Sequence, residues 1–172
     1  VISNRVKFMF GAQVLEFYNP KIAGRPHERV AELIGVAGRR ILEVCAGSGY
    51  LSRRFTHVSA ARIPFPDNTF DAAISCYGLH EISSCDRALT YAEPAPVVRP
   101  GGRVIAADWD VPERGGRTVE FVIRMVAKPD ALEVLGDGIV DALRDVGFNI
   151  VSHDRAQSPA LPFQLVEAVL ES

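Results

Sequence analysis

Short apolar runs alternate along this chain with stretches whose apolar residues recur at helical spacing, and that alternation restricts the fold more than any other feature. "RILEVCA", "FDAAISCYG", "GRVIAADW", "FNIVSHDRA" and "FQLVEAVLE" read as strands. Helical patterns lie among them: "VKFMFGAQVLEFYN", "HERVAELIGVAG" closed by Gly38, "GYLSRRF", a stretch around "SCDRALTYAE", and "DGIVDALRDVG", which again stops at a glycine. Pro94 and Pro96 in "EPAPVV" break the helix that precedes them. Strands separated by helices need crossover connections, so the sheet is mainly parallel with both faces covered.

At 172 residues, 48% hydrophobic and 23% charged with a net charge of −2, the chain fits one soluble globular domain, spanning residues 1–172, with a sizeable core. Lys and Arg are scattered rather than striped, so no nucleic acid is expected. No apolar run approaches the ~20 residues of a membrane span, and the N-terminus lacks the pattern of a secretory signal. A cytoplasmic location is the expectation. Cys45, Cys76 and Cys85 form no CxxC pair and are odd in number, which argues against a disulfide framework and against a metal site.

Ligands of such sheets bind at the carboxyl ends of the strands. Here those ends are Glu43 to Gly49, Ser75 to Glu81, and Asp108 to Asp110. Gly47 and Gly49 let backbone turn sharply and approach a ligand, while the next helix points free N–H groups into the same space. A dinucleotide fingerprint would need glycine where Ser52 stands, and Glu43 just ahead of the loop would repel a diphosphate. A cationic, hydroxyl-rich ligand would welcome that carboxylate.

The stretches "ILEVCAGSGYLS", "ARIPFPDNTFDAAISCYGLHEI" and "VVRPGGRVIAADW" resemble, in order and wording, the class I S-adenosylmethionine-dependent methyltransferases. They are most similar to the UbiE-like branch that methylates quinone precursors and other small molecules. The resemblance implies a doubly wound, mainly parallel Rossmann-like sheet with an antiparallel C-terminal strand. It also implies S-adenosyl-L-methionine as cofactor and a small-molecule methyl acceptor, aromatic or quinone-like. By the same resemblance residues 1–38 hold N-terminal helices, residues 39–110 the cofactor-binding core and residues 111–172 the C-terminal part of the sheet. Glu43 then lies near the amino-acid end of the cofactor. Cys45, Ala46, Gly47, Ser48 and Gly49 wrap its methionine and ribose portions, Ser59 and Ala60 fall on the adenine side, and Ser75, Cys76, Tyr77 and Leu79 line the methionyl or adenine side.

A sulfonium is already a good leaving group, so methyl transfer asks a protein mainly for alignment and exclusion of water. If a proton must leave the acceptor, the catalytic candidates are His80 and Asp108, with Asp110 beside them. Two readings stand for each. His80 is a base or a locally bonded helix-start residue; the aspartates serve chemistry or cap the next segment; Trp109 walls a substrate pocket or packs the core. Cys45, where the family has glycine, and Cys76 read first as small buried residues. Phe8, Phe10, Phe17 and Tyr18 form either core or an N-terminal lid.

The sequence also departs from the family. No acid can be assigned to the ribose hydroxyls, and Ser59 stands where a carboxylate would touch the adenine. Only twenty residues separate Gly49 from Phe70. A helix of roughly 11 residues and a loop leave room for at most a stub of strand, "HVSA", where the family places a unit of ~30 residues. Part of the nucleotide half, the second-strand region, is therefore expected to be missing between about Phe55 and Ala61. That loss keeps a second class of function open: a methyltransferase-like binding or regulatory module without catalysis.

Overall fold

The computed structural model describes residues 26–35, 38–45, 56–57, 65–111, 116, 120–121, 129–156 and 162–170. In chain order these form helix α1 (Pro26–Ile34), strands β1 (Ile41–Glu43), β2 (Thr56–His57) and β3 (Phe70–Cys76), and a 3-10 turn (Leu79–Glu81). Helices α2 (Ser84–Ala92) and α3 (Pro94–Val97) follow, then β4 (Val98–Trp109), a second 3-10 segment (Pro129–Val134), α4 (Gly138–Asp145), β5 (Phe148–Ala156) and β6 (Phe163–Leu170). The strands make one six-stranded sheet in the order β2-β1-β3-β4-β6-β5. Its first four strands run parallel, and β6 lies antiparallel to both β4 and β5.

Alternate residues of each strand serve opposite faces, as the two-residue period of a strand requires. On one face Ile41, Ala72, Ile74, Ile105 and Leu165 pack with Val30 and Ile34 of α1. On the other, Leu42, Ala73, Val104, Ala106 and Val166 meet Tyr91 of α2 and Val140 and Leu143 of α4. Burial on both faces is why the strands read as continuous apolar runs, and each fully buried Leu, Ile or Val contributes about 1.5–3 kcal/mol.

Several boundaries shift for local reasons. Helix α1 stops at Ile34 rather than running on to Gly38, because Gly35 takes the left-handed conformation (φ 60°) and its N–H closes on Ala31 O at 3.2 Å. Strand β4 begins at Val98, four residues before "GRVIAADW", since Val98 pairs with Phe70 across a register shift at "RPGG". The prolines end α2 as expected, yet Pro94 then opens a four-residue helix, where its missing N–H costs nothing. Asn68 in "PDNT" takes φ 56° and makes the turn into β3.

Among the described residues, the region of the expected loss holds only a two-residue strand, no more than the stub that the sequence left room for. Thr56 and His57 pair with Leu42 and Glu43, so β1 is covered on that side by two residues of β2. No further strand lies beyond β2 among the described residues. The aromatic cluster Phe8, Phe10, Phe17 and Tyr18 and the helical stretches "VKFMFGAQVLEFYN" and "GYLSRRF" lie outside the described residues.

Candidate functional site

The parallel register brings the tips of β1, β3 and β4 side by side: Glu43 is level with Ile74, and Cys76 with Ala107. Glu43 is 2% exposed, and its Oε2 has no hydrogen-bond partner among the described residues. Burial pushes its carboxyl up to about 7. Among the described residues nothing offers Oε2 a donor or cation, and a ligand bearing one would supply it.

Beyond Glu43 the chain turns at Cys45 with φ 59°, and β3 turns at Tyr77 with φ 55°. A non-glycine residue in this region costs of order 1–3 kcal/mol, and such strain collects at ligand sites. The two turns touch: a Cβ on Gly78 would collide with the Cβ and carbonyl oxygen of Cys45, so only glycine fits there. Cys45→Gly is therefore expected to leave stability within ~1 kcal/mol of wild type, while Cys45→Val should lower it by about 2 kcal/mol. Urea denaturation of the two variants measures the difference, and equal losses would show that φ at Cys45 carries no cost.

Burial drives the Cys45 thiol up to about 12, Ser75 beside it pulls the other way, and the Asp108 and Glu43 charges add to the rise. Burial likewise raises Cys76 well above the thiol range. Cys76 is buried and Cys45 half-buried, and burial favours the neutral thiol in both.

His80 and Asp108 meet at the tips of β3 and β4. His80 Nδ1 donates to Asp108 Oδ1 at 2.7 Å, and Asp108 Oδ2 accepts the backbone N–H groups of Leu79 (3.0 Å) and His80 (3.3 Å). The same Asp108 Oδ1 also takes the N–H of Trp109 at 2.7 Å. The imidazole stacks on the Trp109 indole, centroids 3.8 Å apart and planes at 18°. With Nδ1 committed, Nε2 is the nitrogen left to take a proton, and it lies 3.6 Å from Glu81 Oε1. Burial lowers the His80 pKa; Asp108, through charge and hydrogen bond, and Glu81 raise it; Arg87 opposes them, and the net is a rise above 6.5.

The alternative readings of the sequence resolve unevenly. Asp108 both caps the Leu79–Glu81 turn and holds His80. Asp110 makes contacts within the fold: its Oδ1 accepts Gly136 N–H at 3.2 Å and its Oδ2 lies 3.6 Å from Arg155 Nε. Trp109 is half-buried, with its indole against the His80 ring. Glu43, Cys45, Ser75, Cys76, Tyr77 and Leu79 lie at one end of the sheet, whereas Ala46, Gly47, Ser48, Gly49, Ser59 and Ala60 fall outside the described residues.

Two supporting residues went unread in the sequence. Gln164, fully buried in β6, donates from Nε2 to Trp109 O at 3.0 Å and to Val134 O at 2.6 Å, fixing the backbone under the indole. Arg87 of α2 is 5% exposed and reaches the His80 turn. A signal for each exists: a polar residue inside an apolar strand, and an arginine on the same helical stripe as Thr90 and Tyr91.

Comparison with known proteins gives this arrangement a setting. Residues 29–106 match a family described as a methyltransferase domain. The demethylmenaquinone methyltransferase of Renibacterium salmoninarum is 26% identical over 174 positions, covering 72% of this chain and 73% of that protein. Since 72% of a 172-residue chain is spread over 174 positions, the relative carries positions that this chain lacks. The ubiquinone/menaquinone biosynthesis C-methyltransferase UbiE of Hahella chejuensis is 38% identical over 58 residues, 34% of this chain and 22% of its own length. Among solved structures, the fold is shared with the 1,6-didemethyltoxoflavin-N1-methyltransferase of Burkholderia thailandensis, determined with 1,6-didemethyltoxoflavin and S-adenosylhomocysteine bound. The TM-score is 0.70 at 16% identity, over 97% of this chain and 85% of that one.

Proposed function

We propose that this chain, a UbiE-like class I S-adenosylmethionine-dependent methyltransferase, methylates a small aromatic or quinone-like acceptor held against His80 and Trp109. The observation that carries this reading is the buried His80–Asp108 pair stacked on Trp109, one strand over from Glu43 and the turn at Cys45. The cofactor's residues would be Glu43, Cys45, Ser75, Cys76, Tyr77 and Leu79, together with Ala46 to Gly49, Ser59 and Ala60. In this reading residues 39–110 form the cofactor-binding core of a single domain.

Bound S-adenosylmethionine supplies an electrophilic methyl group on a sulfonium. The chain's own residues do the rest. Asp108 holds His80 in the tautomer that carries its proton on Nδ1, so Nε2 is free to accept the proton that an acceptor hydroxyl or amine loses as its new bond to methyl forms. The imidazolium so formed lies between two carboxylates, Asp108 and Glu81, which stabilise it. General-base help of this kind is worth about 10²–10⁴-fold. Trp109 offers a flat apolar wall for an aromatic ring, and alignment of that ring accounts for the larger part of the acceleration.

The experiment has two arms. Calorimetry with S-adenosylhomocysteine is expected to show binding; silence would return the chain to a non-catalytic module. Methyl transfer from S-adenosylmethionine to a short-chain hydroquinone is expected to rise with pH along an acidic limb centred above 6.5. The sign follows from His80: a base must be neutral, and its pKa is raised, so activity appears only once the pH passes that higher value. A limb at or below 6.5 would dismiss His80 as the base.

A further inference from the structure

The turn that carries His80 has little bonding of its own. Its 3-10 contacts are long, Glu81 N–H to Gly78 O at 3.3 Å and Ile82 N–H to Leu79 O at 3.2 Å, and no side chain caps it at Gly78. It is held instead from outside, at both ends. Asp108 accepts its N–H groups, as described. At the carbonyl end stands Arg87: Nε donates to Leu79 O at 3.1 Å, Nη2 to Ile82 O at 2.8 Å, and Nη1 to Glu133 Oε2 at 3.0 Å. The side chain of Arg87 is 6% exposed, that of Glu133 53%.

A buried guanidinium is costly unless its donors are satisfied in good geometry. Here two of its three nitrogens serve one four-residue stretch, Leu79–Ile82, and the third ties that stretch to Pro129–Val134. The peptide dipoles of the turn run between a carboxylate at their N–H end and a cation at their C=O end, which is the favourable orientation at both. A lysine could offer the charge but not the fork.

We propose that Arg87 is the positioning residue of His80: its planar fork holds the Leu79–Ile82 backbone in the conformation in which His80 reaches Asp108. This rests on the reading of His80 as the base. The charged groups facing the imidazole are Asp108 from β4, Glu81 on its own turn and Arg87 from α2, with Glu133 beyond Arg87. Removing the fork while keeping the cation therefore releases His80 from Asp108 and lowers its proton affinity. Removing the cation alone would raise it.

Nuclear magnetic resonance of the imidazole groups tests this on the whole chain without ligand, with His80→Asn identifying the His80 signals among the four histidines. The wild type is expected to show a slowly exchanging His80 Nδ1 proton. Arg87→Lys should speed that exchange roughly tenfold and lower the His80 titration midpoint by about half a pH unit. A folded Arg87→Lys with both readouts unchanged would overturn the proposal. If that variant does not fold, Glu133→Gln decides: loss of its charge loosens Arg87 and should speed the exchange a few-fold, and an unchanged rate overturns the proposal equally. Neither readout involves cofactor or acceptor. Failure of S-adenosylhomocysteine to bind would thus remove the catalytic reading of His80 and leave Arg87's hold on it intact.

Discussion

Glu43→Gln is expected to weaken S-adenosylmethionine by roughly 10–100-fold and, in the empty protein, to remove a stability cost that grows with pH. The first effect follows from the lone oxygen Oε2: a charge-assisted hydrogen bond or ion pair made there on binding is worth about 1.5–3 kcal/mol, and an amide cannot replace it. The second follows from linkage. Burial raises the Glu43 carboxyl from 4.5 to about 7 in the folded state. The folded chain therefore holds this proton more tightly than the unfolded chain does. That contribution is fully present below pH 4.5 and is lost as the pH rises through about 7, a difference of about 3 kcal/mol. Urea denaturation at pH 5 and pH 8 should show the wild type losing stability that Glu43→Gln retains. Calorimetry with S-adenosylhomocysteine near pH 6.5, in buffers of different ionisation enthalpy, should show proton release on binding by the wild type alone. Equal affinities in the two proteins would make Glu43 a purely structural residue.

Asp108→Asn should lower kcat by about 10²–10³-fold while changing cofactor affinity much less. Asp108 accepts four N–H groups: the backbone amides of Leu79, His80 and Trp109, and the Nδ1 proton of His80. Asparagine has one acceptor oxygen, and its NH₂ group must face donors. The turn, the imidazole tautomer or both give way, at a further cost of about 1–3 kcal/mol in stability. Single-turnover methyl transfer separates the chemical step from binding, and calorimetry supplies the affinity. A variant that turns over at the wild-type rate would show that the pair only braces the strand ends.

How much of this was written in the sequence differs from element to element. Strands β3 and β6 lie where their apolar runs predict, because residues buried on both sides leave a local pattern, and the mostly exposed edge strand β5 also lies where it was expected. The glycines at Gly35 and Gly147 mark helix ends through their own positive φ, although the first of them was passed over for Gly38. Strand β2 was legible only as a stub: two residues carry no periodicity, and what makes Thr56–His57 a strand is the edge of β1 beside them.

The site divides in the same way. Alternation of strands and helices, the acid at Glu43, the glycine loop and the "GLHEI" stretch together predicted a mainly parallel sheet, the end of it expected to meet a ligand, and His80 and Asp108 as the proton-handling candidates. Those features are local, since period, turn chemistry and residue type act over a few neighbours. Which of the two aspartates meets His80, that Trp109 stacks on the imidazole, and that Arg87 and Gln164 brace the turn and the indole were decided only by tertiary structure. Those contacts join residues tens of positions apart, such as the pair 28 positions apart in His80 and Asp108. Their partners are fixed by strand register and by the need to satisfy every buried donor, and neither leaves a mark on the residues nearby.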